Sequence, residues 1–215
     1  MRIRKILLIL IIVLGLSGCV NLNNLDYEDI INDLSNKPKP ANIYKRGYQF
    51  YIPKGLQLSN AGSNYAIISS DRSYYYLYVD LISYNKKSEL NYEKTQNSIY
   101  ATTINYDGKS GYVEIKLWEN NQYLIEIMYN YAKIEVMVDE SLIKQTLINS
   151  ISILNSIKYN DIIIEKLLSD DNLIYTTEIF DMFKDTEDNS NILDYVETED
   201  LNYEKEEVKD TDFIN

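Results

Sequence analysis

The sequence predicts an α+β domain in which an antiparallel meander sheet of about six to seven strands packs on a C-terminal helix. Two observations support this fold class. Between residues 47 and 138, short apolar segments that alternate with period two are separated by turn residues. From residue 142 to 157, the apolar period changes to that of a helix, which gives the sheet a partner for its apolar face.

The first strands precede residue 85. Residues 48–52 alternate and end at the turn signal Pro53-Lys54-Gly55, and residues 64–70 form the next strand. The strongest strand is predicted over residues 74–84, and residues 85–98 are predicted to form a polar loop. One face of that strand is predicted to carry Tyr75, Leu77, Val79 and Leu81, and the other Tyr76, Tyr78, Asp80 and Tyr84.

Four more strands follow as a meander. They are predicted over residues 99–106, 110–118, 122–130 and 133–138, and turns such as Asp107-Gly108 join them. The inward positions are Val113, Ile115, Leu117, Tyr123, Ile125, Ile127, Tyr129, Ile134, Val136 and Val138. Strands joined by such short turns form an antiparallel sheet.

The helix is predicted from its cap and its apolar stripe. Asp139 is a good N-cap, and Glu140 follows where a negative charge is favoured by the helix dipole. The apolar positions 143, 147, 151, 154 and 157 lie on one helical face. The α+β domain is therefore predicted over residues 47–160, which is long enough to bury its own core.

Composition predicts the segments outside the domain. Residues 1–18 are predicted to be a lipoprotein signal peptide, 19–46 a tether with a short helix, and 161–183 an extension that docks on the domain. Residues 184–215 are predicted to be an acidic, disordered tail. The formal net charge is −12, and residues 165–215 hold 17 acidic and four basic side chains. Because such a tail repels nucleic acid, no nucleic-acid partner is expected.

The N-terminus carries an export signal. A basic start is followed by an apolar run over residues 6–16 and then by small residues. Leu16-Ser17-Gly18-Cys19 resembles the bacterial lipobox, which implies cleavage between Gly18 and Cys19 and a diacylglycerol on Cys19. The expected partner of that lipid is the bilayer, at the extracytoplasmic face of the cell membrane. The alternatives are a transmembrane helix, for which the run is short, and an ordinary secretory signal.

Two residue counts exclude large classes of enzyme. The chain has no histidine and a single cysteine, Cys19. Serine–histidine and cysteine–histidine hydrolases are excluded, as are most zinc sites, because these chemistries need histidine or thiolate groups. We predict no metal and no cofactor. The expected function is a non-catalytic binding module at the cell envelope.

An aromatic surface is the candidate binding site. The outward stripe Tyr76, Tyr78 and Tyr84, extended by Trp118, is the kind of surface that binds sugars or another protein. Its expected partner is an envelope protein or a cell-wall glycan. The alternative is that the 85–98 loop or the 162–183 segment covers this face.

An accessory envelope hydrolase is the alternative function, since paired carboxylates hydrolyse glycosides without histidine. The strand carboxylates are Asp80, Glu114, Glu126 and Glu135. Each falls on the polar side of its strand, where we expect it to be solvated. No catalytic residue is therefore assigned.

Two stretches carry a resemblance. Residues 47–55, Gly-Tyr-Gln-Phe-Tyr-Ile-Pro-Lys-Gly, and the helix end at residues 154–158, Leu-Asn-Ser-Ile-Lys, resemble uncharacterised lipobox-containing lipoproteins of Gram-positive bacteria with low G and C. The layout is also distantly similar to the PsbP/Mog1-like α/β sandwich. The resemblance implies the anchor at Cys19 and no other functional residue.

Overall fold

A computed structural model describes residues 25–35, 37–169 and 183. The chain forms two compact units, Met1–Ile179 and Phe180–Asn215, and every described residue except Phe183 belongs to the first. The predicted signal peptide, the cleavage point at Gly18 and Cys19, and the acidic tail from residue 184 lie outside the described residues. No described helix is long and apolar enough to cross a membrane.

Four helices and ten strands make up the described chain. In order they are α1 (Tyr27–Ser35), β1 (Ile43–Lys45), β2 (Tyr48–Phe50), β3 (Gln57–Ala61), β4 (Tyr65–Ser69), β5 (Tyr74–Val79), α2 (Leu81–Lys86), β6 (Ser98–Tyr106), β7 (Lys109–Leu117), β8 (Gln122–Tyr129), β9 (Ala132–Asp139), α3 (Ile143–Asn155), β10 (Lys158–Tyr159) and α4 (Asp161–Ser169). Short 3-10 turns at Glu119–Asn121 and Glu140–Leu142 precede β8 and α3.

The strands form two antiparallel sheets. The large sheet has seven strands in the order β3-β4-β5-β9-β8-β7-β6, and the small sheet has the order β1-β2-β10. The predicted α+β class is confirmed, with a seven-stranded sheet packed on α3. The single meander is wrong: β3–β5 and β6–β9 are two meanders joined where β5 pairs with β9. The predicted strand at residues 48–52 belongs to the small sheet, and β3 takes its place.

The core lies between α3 and the inner face of the large sheet. The apolar stripe of α3 is buried as predicted, and it faces isoleucine and valine side chains whose branched shape suits a pleated surface. Residues buried in these layers include Val113, Ile115, Ile125, Ile127, Ile134, Val136, Leu147 and Leu154. Each such side chain stabilises the fold by about 1.5–3 kcal/mol relative to exposure.

The strand predicted over residues 74–84 ends at Val79, so its second half is wrong. The Asp80 carboxylate accepts a hydrogen bond from the Ser83 backbone N–H at 2.8 Å and caps α2. Lys87, in the left-handed conformation with φ 54°, ends the helix. Because the cap satisfies a backbone donor at the helix start, it outweighs the weak alternation of residues 80–84.

The inward positions of β7–β9 are buried as predicted, with exceptions at the strand ends. Leu117 is 45% exposed although it was expected inward. It is the last residue of β7, paired with the half-buried Tyr123 beside the 3-10 turn. The alternation therefore gives the correct face, but the end of the strand lies at the margin of the core.

Part of the segment expected to be a tether is packed into the domain. Ile30 and Ile31 on α1 are only 3% exposed and join the core, where α1 contacts α3. Residues 43–45 pair with β2. The folded domain therefore begins at α1 instead of at residue 47, because the short amphipathic helix has an apolar surface to cover.

The start of the expected docking extension is also part of the domain. Ile164 and Leu167 on α4 are buried, and they pack at Gly47. A Cβ atom at Gly47 would lie 3.1 Å from Ile164 Cγ1, and its φ of +95° favours glycine. Residues 170–182 of this extension lie outside the described residues.

Candidate functional site

The face of the large sheet that points away from α3, here called the outer sheet face, carries a row of ionisable side chains. Across four adjacent strands, Tyr76 pairs with Glu135, Glu135 with Glu126, and Glu126 with Glu114. Directly opposite residues in a sheet have Cβ atoms about 4.5–5.5 Å apart. Three carboxylates therefore stand side by side, and their repulsion requires compensating groups.

Glu114 is compensated by the segment that precedes β6. The Thr95 backbone N–H and Oγ1 hydroxyl both donate to Glu114 Oε1, at 2.8 and 2.7 Å. The ammonium of Lys116 lies 3.6 Å from the other carboxylate oxygen. Glu114 is 1% exposed, so the expectation that it is solvated is wrong. Alternation identifies the polar face of a strand but not whether another segment covers it.

Glu126 is held by two side chains of β7. Lys116 Nζ donates to Glu126 Oε2 at 2.9 Å, and the Tyr112 hydroxyl donates to Glu126 Oε1. Burial alone would lower the pKa of Lys116, but its hydrogen bond and ion pair with Glu126, helped by Glu114, raise the pKa above its ordinary value. Lys116 is therefore charged at neutral pH and bridges two glutamates on neighbouring strands.

Glu135 forms an ion pair with Lys133 two residues before it on β9. The Lys133 Nζ to Glu135 Oε1 distance is 3.0 Å, and both side chains are 2% exposed. Solvation of Glu135 was expected and is also wrong. Each of the three sheet carboxylates thus has a protein partner.

An aromatic stack covers part of the same face. The ring of Tyr92 lies on that of Tyr112, with centroids 4.0 Å apart and planes 12° from parallel. Burial, followed by the charges of Glu114 and Glu126, raises the pKa of Tyr92 to about 12. The polar loop predicted over residues 85–98 therefore contributes both the stack and the Thr95 contacts to Glu114.

Tyr76 and Tyr78 lie on the outer sheet face, as the alternation predicted. Tyr78 is 8% exposed, and Tyr76 is half-buried. Burial, followed by the charge of Asp80, raises the pKa of Tyr78 to about 12. These two side chains share a face, but they do not form the bare aromatic surface that was expected.

Tyr84 does not belong to this stripe. It lies on α2, its ring stacks on Tyr159 at 3.8 Å, and its hydroxyl donates to Asp161 Oδ1 at 2.7 Å. The Lys87 ammonium lies 3.5 Å from its ring centroid. Trp118 is half-buried after the end of β7. The grouping of Tyr84 with Tyr76 and Tyr78 is therefore wrong, because the chain turns into a helix at Asp80.

A concave site lies elsewhere, beside the N-terminal half of α3. This site, here called the turn–helix cleft, has a volume of about 390 Å³ and is open to solvent. It is formed by the β2–β3 turn, the β4–β5 turn and one side of α3. Its lining residues are Lys54, Gly55, Leu56, Ser70, Asp71, Arg72, Ser73, Tyr75, Leu142, Gln145, Thr146 and Asn149.

Hydrogen bonds fix the polar groups of the cleft. Gln145 Nε2 donates to Asn149 Oδ1 at 3.1 Å, and Asn149 Nδ2 donates to the Tyr75 hydroxyl at 2.9 Å. Ser70 Oγ accepts from the Ser73 backbone N–H at 3.0 Å, which holds the β4–β5 turn. In the described part of the chain, this acceptor role is the only hydrogen bond of the Tyr75 hydroxyl, so its hydrogen is available to a ligand oxygen.

The charge of the cleft is opposite to that of the chain. Lys54 and Arg72 are exposed on its rim, with Asp71 as the one acidic lining residue. Within residues 25–35 and 37–169, neither cation forms an ion pair. The cleft therefore offers two available cations together with amide and hydroxyl groups.

The cleft was not predicted from the sequence, because three segments that are distant along the chain form it. Two of them, around Lys54 and around Asp71-Arg72-Ser73, were interpreted as turns only, and the third is the polar side of α3. A basic residue in each of two turns was the available signal. No group of acidic side chains that suits a metal ion occurs among the described residues.

Comparisons with known proteins give a distant likeness to a solved structure. No family model matches the chain, and no curated protein matches it. The solution structure of cyanobacterial PsbP (CyanoP) from Synechocystis sp. PCC 6803 aligns with 68% of this chain and 99% of its own, at 12% identity and a TM-score of 0.32. The likeness concerns the layout of the fold only.

Proposed function

We propose that this chain is a lipid-anchored, non-catalytic module that binds an envelope component through the turn–helix cleft. The observation that carries the proposal is the cleft itself, which combines available cations with ordered polar groups. The lipobox resemblance at Leu16-Ser17-Gly18-Cys19 supports an extracytoplasmic site of action. In this proposal the acylated Cys19 inserts into the bilayer, and the cleft binds a second partner in the envelope.

The chemistry of the cleft favours an anionic ligand rich in hydroxyl groups. Lys54 and Arg72 pair with negative groups, and the planar guanidinium of Arg72 suits a phosphate or carboxylate. Gln145 and Asn149 donate and accept hydrogen bonds, as hydroxyl groups require. Leu56 gives an apolar wall. A cell-wall glycan that carries acidic groups has all of these features, so we take it as the ligand class.

The accessory hydrolase is the second candidate, and the juxtaposition of Glu114 and Glu126 is the observation in its favour. They are directly opposite each other on adjacent strands, and glycoside hydrolysis uses a pair of neighbouring carboxylates. Against it, Lys116 and Tyr112 already bind Glu126, Thr95 binds Glu114, and neither carboxylate lines the cleft. Replacement of Glu126 by Gln distinguishes the two functions. If the chain is a hydrolase, this variant loses hydrolysis of wall glycan. If the chain binds glycan through the cleft, the variant binds like the parent.

Binding to purified wall material tests the proposal. The chain from residue 20 onward is titrated against cell-wall glycan with and without its attached anionic polymers. The double variant Lys54→Ala/Arg72→Ala is expected to weaken binding at least about tenfold, since charged hydrogen bonds contribute about 1.5–3 kcal/mol each and 1.4 kcal/mol is tenfold. Asn149→Leu removes the amide that contacts Tyr75 and is expected to weaken binding without a change of charge.

The matched control removes the same charge elsewhere. Lys86 and Lys158 are exposed lysines outside the cleft, and Lys86→Ala/Lys158→Ala is expected to bind like the parent chain. Equal losses for the two double variants would show that binding follows net charge and not the cleft. Absence of binding to every wall fraction would refute the glycan as ligand.

A further inference from the structure

One edge of the large sheet lacks most of the devices that usually protect an edge strand. β6 is nine residues long and reads Ser-Ile-Tyr-Ala-Thr-Thr-Ile-Asn-Tyr, without a charged residue, proline or glycine. Its register with β7 shifts once, between Ser98 and Tyr100, and is unbroken from Tyr100 to Tyr106. Among the described strands, only β7 pairs with it. Proteins normally guard such an edge with lysine, proline, bulges or short length, because unpaired backbone groups recruit another strand.

The strand at the opposite edge is shorter. β3 has only five residues, and its register shifts between Leu58 and Asn60, which interrupts the ladder. Among the described residues, three large apolar side chains on or beside β6 are exposed: Ile99 by 53%, Tyr106 by 47%, and Leu117 on the neighbouring strand by 45%. On β3, Leu58 is 41% exposed. From Tyr100 to Tyr106, the β6 edge therefore has no second partner among the described strands and carries apolar side chains, although the Tyr100 ring packs against Tyr27 of α1.

We propose that the β6 edge pairs with the β6 edge of a second copy of this chain. The pairing is antiparallel and two-fold, so the two large sheets continue into one. Local electrostatics permit this occupant: the β6–β7 hairpin holds Asp107 and Glu114 against Lys109 and Lys116, so it is neutral although the chain carries −12. Two copies can meet at this edge without bringing like net charges together.

The regular stretch of β6 is self-complementary when Thr103 lies on the two-fold axis. Thr103 then faces its own equivalent, Ala101 faces Asn105, and Thr102 faces Ile104. Tyr100, whose ring packs edge-on against Tyr27 of α1 with centroids 5.2 Å apart, lies opposite the exposed Tyr106 at both ends of the pairing. Aromatic pairs and threonine pairs are favourable cross-strand neighbours. Because seven paired residues make a small interface, we expect a weak dimer, of the class that buries less than about 1,200 Å².

Cysteine crosslinking of the full chain tests the register. Residues directly opposite in an antiparallel pair have Cα atoms about 4.5–5.5 Å apart, within the roughly 4.4–6.8 Å that a disulfide needs. Thr103→Cys is expected to form a disulfide-linked dimer under mild oxidation, in cell membranes and in detergent extract. Ser59→Cys, exposed on the opposite edge, is the matched control, and the parent chain controls for Cys19.

A second variant separates pairing from chance collision. Thr103 is exposed, so Thr103→Lys leaves the fold intact and places two ammonium groups opposite each other across the axis. In detergent, the parent chain is expected to sediment as a dimer at high concentration and Thr103→Lys as a monomer. A dimer yield for Thr103→Cys no higher than for Ser59→Cys, or equal sedimentation of the parent and Thr103→Lys, overturns the proposal.

Discussion

Replacement of Lys116 by Met tests whether the outer sheet face is stabilised by the bridge between two glutamates. Methionine is unbranched and only one atom shorter than lysine, but it carries no charge. In the native protein the Lys116 ammonium lies 2.9 Å from Glu126 and 3.6 Å from Glu114, and its side chain is 13% exposed. The variant therefore leaves two neighbouring carboxylates without the cation between them.

The expected loss of stability follows from the burial and the distances. The Coulomb attraction between two unit charges about 4 Å apart is roughly 4 kcal/mol in a partly buried setting, before the cost of removing lysine from water is subtracted. Removal of one partner of a buried pair usually costs about 3–5 kcal/mol. Since 1 kcal/mol shifts Tm by about 2–4 °C in a chain of this size, we expect Lys116→Met to lower Tm by about 10 °C.

A double-mutant cycle measured by urea denaturation identifies the cause. Glu126→Gln neutralises one of the two carboxylates, so it should be much less harmful in the Lys116→Met background than in the parent. We expect a coupling energy of at least about 1 kcal/mol between the two sites, as for residues in one ion-pair network. If Lys116→Met costs less than about 1 kcal/mol, or the two losses simply add, the bridge does not stabilise the fold.

Three further predictions concern packing, pH and the anchor. Gly111→Ala should lower the free energy of unfolding by about 3 kcal/mol, because the new Cβ would lie 2.1 Å from the Met128 carbonyl oxygen. The control is Gly108→Ala, where the Cβ has open space and φ is +71°. Chemical denaturation should show a loss of only about 1 kcal/mol for this control. Burial raises the pKa of Tyr92 to about 12, so the stability that the buried, protonated Tyr92 contributes is present below pH 10 and should be lost between about pH 10 and 12. Tyrosinate absorbance measures this titration. Complete titration of the tyrosines near pH 10 in the folded protein would contradict the prediction. Cys19→Ala should abolish labelled palmitate uptake and membrane fractionation, and retention of both would refute lipidation.

Alternation predicted the central strands well because their inner faces are apolar without interruption. Ile125 and Ile127 on β8, and Ile134 and Val136 on β9, are buried where the sequence placed them. The stripe of α3 was as clear, since its apolar positions must all meet the sheet. In these elements the local pattern and the tertiary packing demand the same arrangement.

The outer sheet face was harder to predict because alternation describes one strand at a time. Glu114 and Glu135 are polar residues on the polar side of their strands, and nothing in that pattern shows that they are buried. Thr95 contacts Glu114 from the segment before β6, and Lys133 pairs with Glu135 along the same strand; neither contact is evident from the alternation. The turn–helix cleft was missed for the same reason: its residues meet only after the sheet is assembled.

The docking of α1 also changes the distance over which the protein can act. With Cys19 acylated, as proposed, only seven residues separate the lipid from the first turn of α1, and they span at most about 25 Å. The domain would then diffuse in two dimensions, within a thin layer above the bilayer. A ligand for the cleft would have to enter that layer, so the protein would sample newly exported material and the innermost wall, while the outer wall stays beyond its reach.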